Sequence, residues 1–150
     1  VKKIACLIQN VYIFHTPGNE IFGELNMTLI FNPASDGLSK VFRDYQEEAL
    51  RFVWERNDEG AISREVWSSV NERLVGKTIS RASIINFLNA MVDEGVLDYV
   101  ERTGKGGYHR IYRPKLNETS FKQYVAETVI SSLLKDFPAE TKEAIKQVSS

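Results

Sequence analysis

Cysteine and histidine are nearly missing from this chain: Cys6 is the single cysteine, and His15 and His109 are the two histidines. One cysteine excludes an internal disulfide and any cysteine-rich metal centre, and it fits a reducing compartment. With the two histidines and Cys6 remote from one another, no ligand cluster of the kind zinc requires is visible. His109 reads as a solvent-facing strand residue. Long apolar runs are also lacking, none approaching the ~20 residues of a membrane span. Lys2 and Lys3 before Ile4 to Ile8 have the order of a signal peptide, but the run is too short and Gln9 and Asn10 interrupt it. The expected location is the cytoplasm. Net charge is only −1, so there is no global basic field, and any attraction to nucleic acid must come from local clustering. Nor is there a phosphate-cradling loop: Gly104, Gly106 and Gly107 lie between two strand-like runs, without the following helix and lysine that phosphate binding needs. No nucleophile and base stand at a recognisable spacing, so neither an enzyme nor a cofactor is expected.

What the chain does have is concentrated between Ile79 and Arg113. Ser80 is placed to cap a helix, and Ile84, Phe87, Leu88, Met91 and Val92 recur at three- and four-residue steps, which makes one buried stripe. Gly95 supplies the left-handed residue that stops the helix after Glu94. The opposite face carries Arg81, Ser83, Ile85, Asn86 and Asn89. Two strand-like runs follow, Val96 to Arg102 and Tyr108 to Arg113, around a glycine-rich turn, Thr103 to Gly107. From Arg102 to Lys115 there are five basic residues (Arg102, Lys105, Arg110, Arg113 and Lys115) and no acidic one. A helix followed by a basic hairpin is the winged form of helix-turn-helix. The fold expected is therefore mainly α with a small β-wing, extended by C-terminal dimerisation helices.

The rest of the chain divides around this centre into residues 1–37, 38–115 and 116–150. In the first segment Ile4 to Phe14 and Ile21 to Phe31 are β-rich and separated by Thr16, Pro17, Gly18 and Asn19, which suits a hairpin. The competing reading places the natural start at Met27, with the upstream residues an artefact of start-site choice. Asp44 and Glu47 have capping-box spacing for a first helix running to about Asn57, with Tyr45, Ala49, Leu50, Phe52, Val53 and Trp54 on a broad apolar face. Trp54 is read as core. Ala61 and Ile62 are placed to add a short strand against the wing. Ser63 opens a second helix with apolar positions Val66, Trp67, Val70 and Leu74. After Pro114, Asn117 caps a long helix to Asp136, and Pro138 begins a last one, Ala139 to Val148. Phe121, Tyr124, Val125, Val129, Leu133 and Leu134, with Ile145 of the last helix, form more apolar surface than a short tail needs. Burial against a second copy of the chain is expected.

The segments Ala49-Leu50-Arg51-Phe52-Val53-Trp54-Glu55, Ser63-Arg64-Glu65-Val66 and Ile79-Ser80-Arg81-Ala82-Ser83-Ile84 through Val92-Asp93-Glu94-Gly95-Val96-Leu97 resemble, in order and spacing, the penicillinase-repressor (BlaI/MecI) family of winged-helix regulators. The resemblance covers roughly residues 38–148. It implies a homodimer that binds a palindromic operator in double-stranded DNA and represses transcription, with the C-terminal helices as the dimer interface. Two family features have no counterpart. No Asn-Phe bond occurs after Pro114, where the β-lactamase repressors are cleaved; Asn86-Phe87 lies inside the third helix. The cysteine pairs of the copper-responsive relatives are also missing, so the inducing signal, whether an effector or an upstream sensor, stays open.

If the third helix enters a major groove, its N-terminal residues lie nearest the base edges, so Arg81, Ser83 and Asn86 are the expected base readers. Lys77 and Thr78 at the helix entrance, with Arg102, Lys105 and Arg110 on the wing, are the expected phosphate contacts. Tyr108 and Tyr112 alternate with His109 and Ile111 and are expected to pack on the third helix. Against the DNA-binding regulator stand a winged helix that engages a protein complex without reading sequence, and a regulator that takes a small effector between its dimer helices.

Overall fold

The computed structural model describes residues 30–150. Met27 and nearly all of the expected N-terminal hairpin lie outside that range; Ile30 and Phe31, at its end, are exposed and belong to no strand. The described residues fall into two compact units, 30–121 and 122–150. They are mainly helical, with one small antiparallel sheet. Among them no helix is long and apolar enough to cross a membrane.

A short 3-10 turn, Gly37–Lys40, leads into helix α1, Asp44–Arg56. Asp44 is not the cap that its spacing to Glu47 suggests. Arg43 holds the cap position, and Gln46 Oε1 accepts the Arg43 N–H at 2.9 Å, the reach-back half of a capping box. Asp44 then sits in the first turn, where a negative charge meets the positive end of the helix dipole. Helix α2, Ser63–Arg73, opens at Ser63 as expected: Ile62 is the cap, and Glu65 Oε2 accepts its N–H at 3.0 Å. In both cases an acceptor three residues after the cap satisfies the cap N–H.

Between these helices runs strand β1, Ala61–Ile62, joined to α1 through Gly60. Gly60 has φ of 71°, and a Cβ there would stand 2.7 Å from both Ile111 Cγ2 and the Tyr112 carbonyl oxygen. Glycine is thus what lets β1 reach the sheet, where Ala61 faces Tyr112 and Ile62 faces Ile111. The expected strand against the hairpin is present.

Helix α3, Arg81–Asp93, begins as its sequence says: Ser80 Oγ accepts the Ser83 N–H at 3.1 Å. Ile84, Phe87, Leu88 and Met91 are its buried stripe, and Val92 is half-buried. Gly95, at φ of 75°, ends it, and its N–H bonds the Val92 carbonyl. Strands β2, Leu97–Gly104, and β3, Gly107–Pro114, pair in register down to Gly104 opposite Gly107, so only Lys105 and Gly106 form the turn. The strands run further into the glycines than expected because those residues still complete the ladder. The sheet order is β1-β3-β2.

Helix α4, Glu118–Asp136, starts under the Asn117 cap, whose Oδ1 accepts the Ser120 N–H at 2.8 Å. Its first turn completes the core of unit 30–121. Phe121 is fully buried, stacked on Phe42 at 5.3 Å and tilted against Trp54 at 5.8 Å between ring centroids. Phe121, expected at a dimer interface, is therefore a core residue of its own chain. Trp54 is half-buried, and its indole N–H reaches the Leu116 carbonyl at 2.9 Å. In unit 122–150, α4 continues and helix α5, Pro138–Ser149, follows with proline in its first turn.

Phe121→Ala is expected to cost ~3–5 kcal/mol, the usual loss for an aromatic core truncation, read by urea unfolding followed by circular dichroism. Gly60→Ala is expected to destabilise by more than about 1 kcal/mol, because strain at positive φ adds to a backbone clash; thermal unfolding checks it.

Candidate nucleic-acid interface

The entrance to α3 is fixed by α2. The Ile79 backbone is held on both sides: its N–H donates to Asn71 Oδ1 at 2.8 Å, and its carbonyl accepts the Trp67 indole N–H at 2.8 Å and Asn71 Nδ2 at 3.3 Å. Trp67, expected on the apolar face of its helix, is 37% exposed instead. Its ring leaves the core because the indole N–H needs a partner, and the Ile79 carbonyl lies across the turn.

Of the expected base-reading residues, Arg81 and Asn86 are exposed on α3. Arg81 Nη2 lies 3.5 Å from Ser63 Oγ, so the N-terminal turns of α2 and α3 meet, and exposed Arg64 is the next residue along. Ser83 is half-buried, and its hydroxyl sits 2.9 Å from Ser80 Oγ as part of the cap. Asn89, set beside these residues by helical spacing, turns elsewhere. Its Oδ1 accepts from Arg110 Nη1 at 2.9 Å and from the Tyr112 hydroxyl at 2.8 Å.

On the hairpin, register sets Tyr99 opposite Tyr112, Glu101 opposite Arg110 and Thr103 opposite Tyr108 on one face. The two tyrosines of β3 have different surroundings. Tyr112 is buried against α3, whereas Tyr108, nearer the tip, is 63% exposed because the hairpin outruns the helix. Burial raises the Tyr112 phenol above its ordinary value, against the lowering influence of Arg110, so at neutral pH it is a donor. A hydrogen bond with Glu101 raises Tyr108 as well. Arg110, expected on phosphate, is half-buried, with its guanidinium 4.1 Å from the Tyr99 ring centroid as well as bonded to Asn89. Arg102 and Lys105 are exposed, and among the described residues neither has an acidic group within ion-pair distance.

Four basic residues along α1, α2 and the turn after it are matched. Arg73 pairs with Glu55 at 2.7 Å and Glu48 at 3.4 Å, Arg51 with Glu47 and Glu118, and Arg56 with Glu59 and Glu65. Lys77, expected on phosphate, bonds Asp44 at 2.5 Å in the same ionic groove, while Thr78 is exposed at the entrance of α3. Lys77 is thus drawn toward the start of α1.

The remaining expected dimerisation residues lie in unit 122–150. Tyr124, Val125, Val129 and Leu134 are half-buried, and Leu133 and Ile145 are exposed. Leu133 and Ile145 line an apolar groove between α4 and α5, along with Ile130, Phe137, Ala144 and Val148. Among the described residues no group of three His, Cys, Asp or Glu could hold a metal ion.

Trp67, Asn71 and the coupling of Asn89 escaped the sequence. Helical spacing put Trp67 and Asn89 on plausible faces, but their partners lie across a turn or on another element, and no local pattern marks them. Compared with protein-family models, curated proteins and solved structures, the chain gives no match.

The Asp44 carboxyl is held below its ordinary value, first by the hydrogen bond from Lys77 and then by its charge. A depressed carboxylate contributes stability above its unfolded value and loses it as pH falls through the folded one. The pair is therefore intact at neutral pH and opens in acid. Lys77→Met should move the Asp44 titration upward toward its ordinary value, as read by carbon-detected NMR.

Proposed function

We propose that residues 38–115 are a winged helix-turn-helix that binds double-stranded DNA sequence-specifically, and that the chain is a transcriptional regulator, a repressor acting as a homodimer on a palindromic operator. The observation that carries this is the distribution of charge. Arg81 on α3 and Arg102 and Lys105 at the hairpin tip are exposed cations without acidic partners among the described residues, whereas Arg51, Arg56, Arg73 and Lys77 are paired. Unpaired cations on a helix and on the hairpin beside it match what a duplex offers: base edges in the major groove and phosphates flanking it. Arg81 and Asn86 are the base readers in this scheme. Arginine suits guanine through a bidentate contact, and asparagine suits adenine. Ser83, occupied in the cap, and Lys77, occupied by Asp44, have the weaker claims. Arg102 and Lys105 neutralise phosphate.

The homodimer rests on the apolar groove of Ile130, Leu133, Phe137, Ala144, Ile145 and Val148, a surface suited to an equivalent groove on a second copy. The reading as a protein-binding module is the outcome left if duplex DNA is not bound.

Selection of bound sequences from random duplex DNA tests the reading. A palindrome with half-sites about one helical turn apart is expected, bound less tightly as salt rises. Arg81→Ala should lose ~1–3 kcal/mol on the selected site and relax preference at one position. Lys105→Ala should weaken all sequences alike and reduce the salt slope by about one. Equal losses for Arg81→Ala on selected and random DNA would reject its role as a base reader.

A further inference from the structure

On the DNA-binding reading, the angle between α3 and the hairpin decides whether both reach one duplex in register. The root of the hairpin is packed, with Val96 and Leu97 buried. Toward the tip the packing ends: every residue from Glu101 to Tyr108 is exposed. The last attachment before that free end is polar. Asn89 of α3 accepts from Arg110 Nη1 at 2.9 Å and from the Tyr112 hydroxyl at 2.8 Å, both on β3, and the Arg110 guanidinium lies 4.1 Å from the Tyr99 ring centroid on β2. A guanidinium is donor-only, so the amide oxygen of Asn89 must be the atom that faces β3. One oxygen thus gathers both strands against the helix. Apolar contact at the root is non-directional, whereas two hydrogen bonds converging on one atom define a rotation.

We infer that Asn89 is a positioning residue that locks the hairpin to α3, so that Arg102 and Lys105 meet phosphates at a fixed offset from the bases met by Arg81 and Asn86. This rests on the DNA-binding reading above. Arg110 on this account acts through Asn89 and Tyr99, and the tip supplies the phosphate contacts.

The test uses the full chain on its selected duplex. Hydroxyl-radical footprinting reports the backbone, methylation protection reports the major-groove guanines, and the double variant Arg102→Ala with Lys105→Ala identifies which backbone protections belong to the tip. Asn89→Ala is expected to lose those tip protections and keep the guanine protections, with a salt slope lower by about two, one for each phosphate that the tip no longer neutralises. Asn89→Asp, whose carboxylate accepts the same two bonds, is expected to restore the tip protections even though its added charge lowers affinity. Tyr112→Phe removes one of the two bonds with little change in volume and is expected to weaken the same protections; it carries the test if Asn89→Ala does not fold by circular dichroism. A wild-type footprint and slope in the folded variants would overturn the positioning role, and so would parallel loss of tip and guanine protections. No footprint from the wild-type chain would reject the DNA-binding reading itself, and with it this one.

Discussion

The backbone of a single residue, Ile79, sets how the second and third helices meet. Its N–H and carbonyl are both taken by side chains of α2, Asn71 and Trp67. Ile79 is the half-buried residue of an otherwise exposed turn, where water has least access to its backbone groups. The turn therefore has a strong preference for the conformation that satisfies both. Ser80 follows at once as the cap of α3, so the direction of that helix is determined within two residues of the anchored residue. The buried stripe of Ile84, Phe87, Leu88 and Met91 then supplies most of the stabilisation, and the polar anchor supplies the orientation.

The charge distribution follows from the same geometry. Because α1 and α2 lie side by side, Arg73 reaches Glu48 and Glu55 across the interface, and the turn after α2 brings Lys77 to Asp44. The Arg73 pairs are partly solvent-exposed and each is worth ~0–1 kcal/mol, and the Lys77–Asp44 pair is fully in solvent. Their larger consequence is subtraction. In a chain of net charge −1, Arg51, Arg56, Arg73 and Lys77 are neutralised, whereas Arg81, Arg102 and Lys105 are among the cations with no acidic partner among the described residues. Overall charge therefore says little about the local field at α3 and the hairpin tip.

The periodic features were legible in sequence. The stripe of α3, its Ser80 cap and Gly95 stop, the β1 pairing and the Asn117 cap each depend on residues close together in the chain or on simple alternation. The first helix is capped by Arg43 rather than Asp44 because Gln46 serves as the backbone acceptor, which sequence spacing alone does not reveal, whereas the second helix opens at Ser63 as expected. The least legible residues were those whose partners are distant. Phe121 looks like part of an amphipathic stripe until Phe42 and Trp54 are seen around it. Arg110 looks like one more cation of a basic hairpin until Asn89, 21 residues away, claims it. The expected elements, a helix followed by a hairpin, were thus legible in sequence, while the partners of their individual side chains were less so.

The two tryptophans have come to rest at opposite ends of this logic. Trp54 donates to Leu116 beside Phe121, and Trp67 donates to Ile79 at the entrance of α3. Each indole is a native optical reporter on one joint, the first on the docking of the α4 start and the second on the α2–α3 turn. Removing either by substitution with phenylalanine isolates the emission of the other. Motion at the α2–α3 turn and motion at the base of α4 can then be followed separately in the same chain without an added dye.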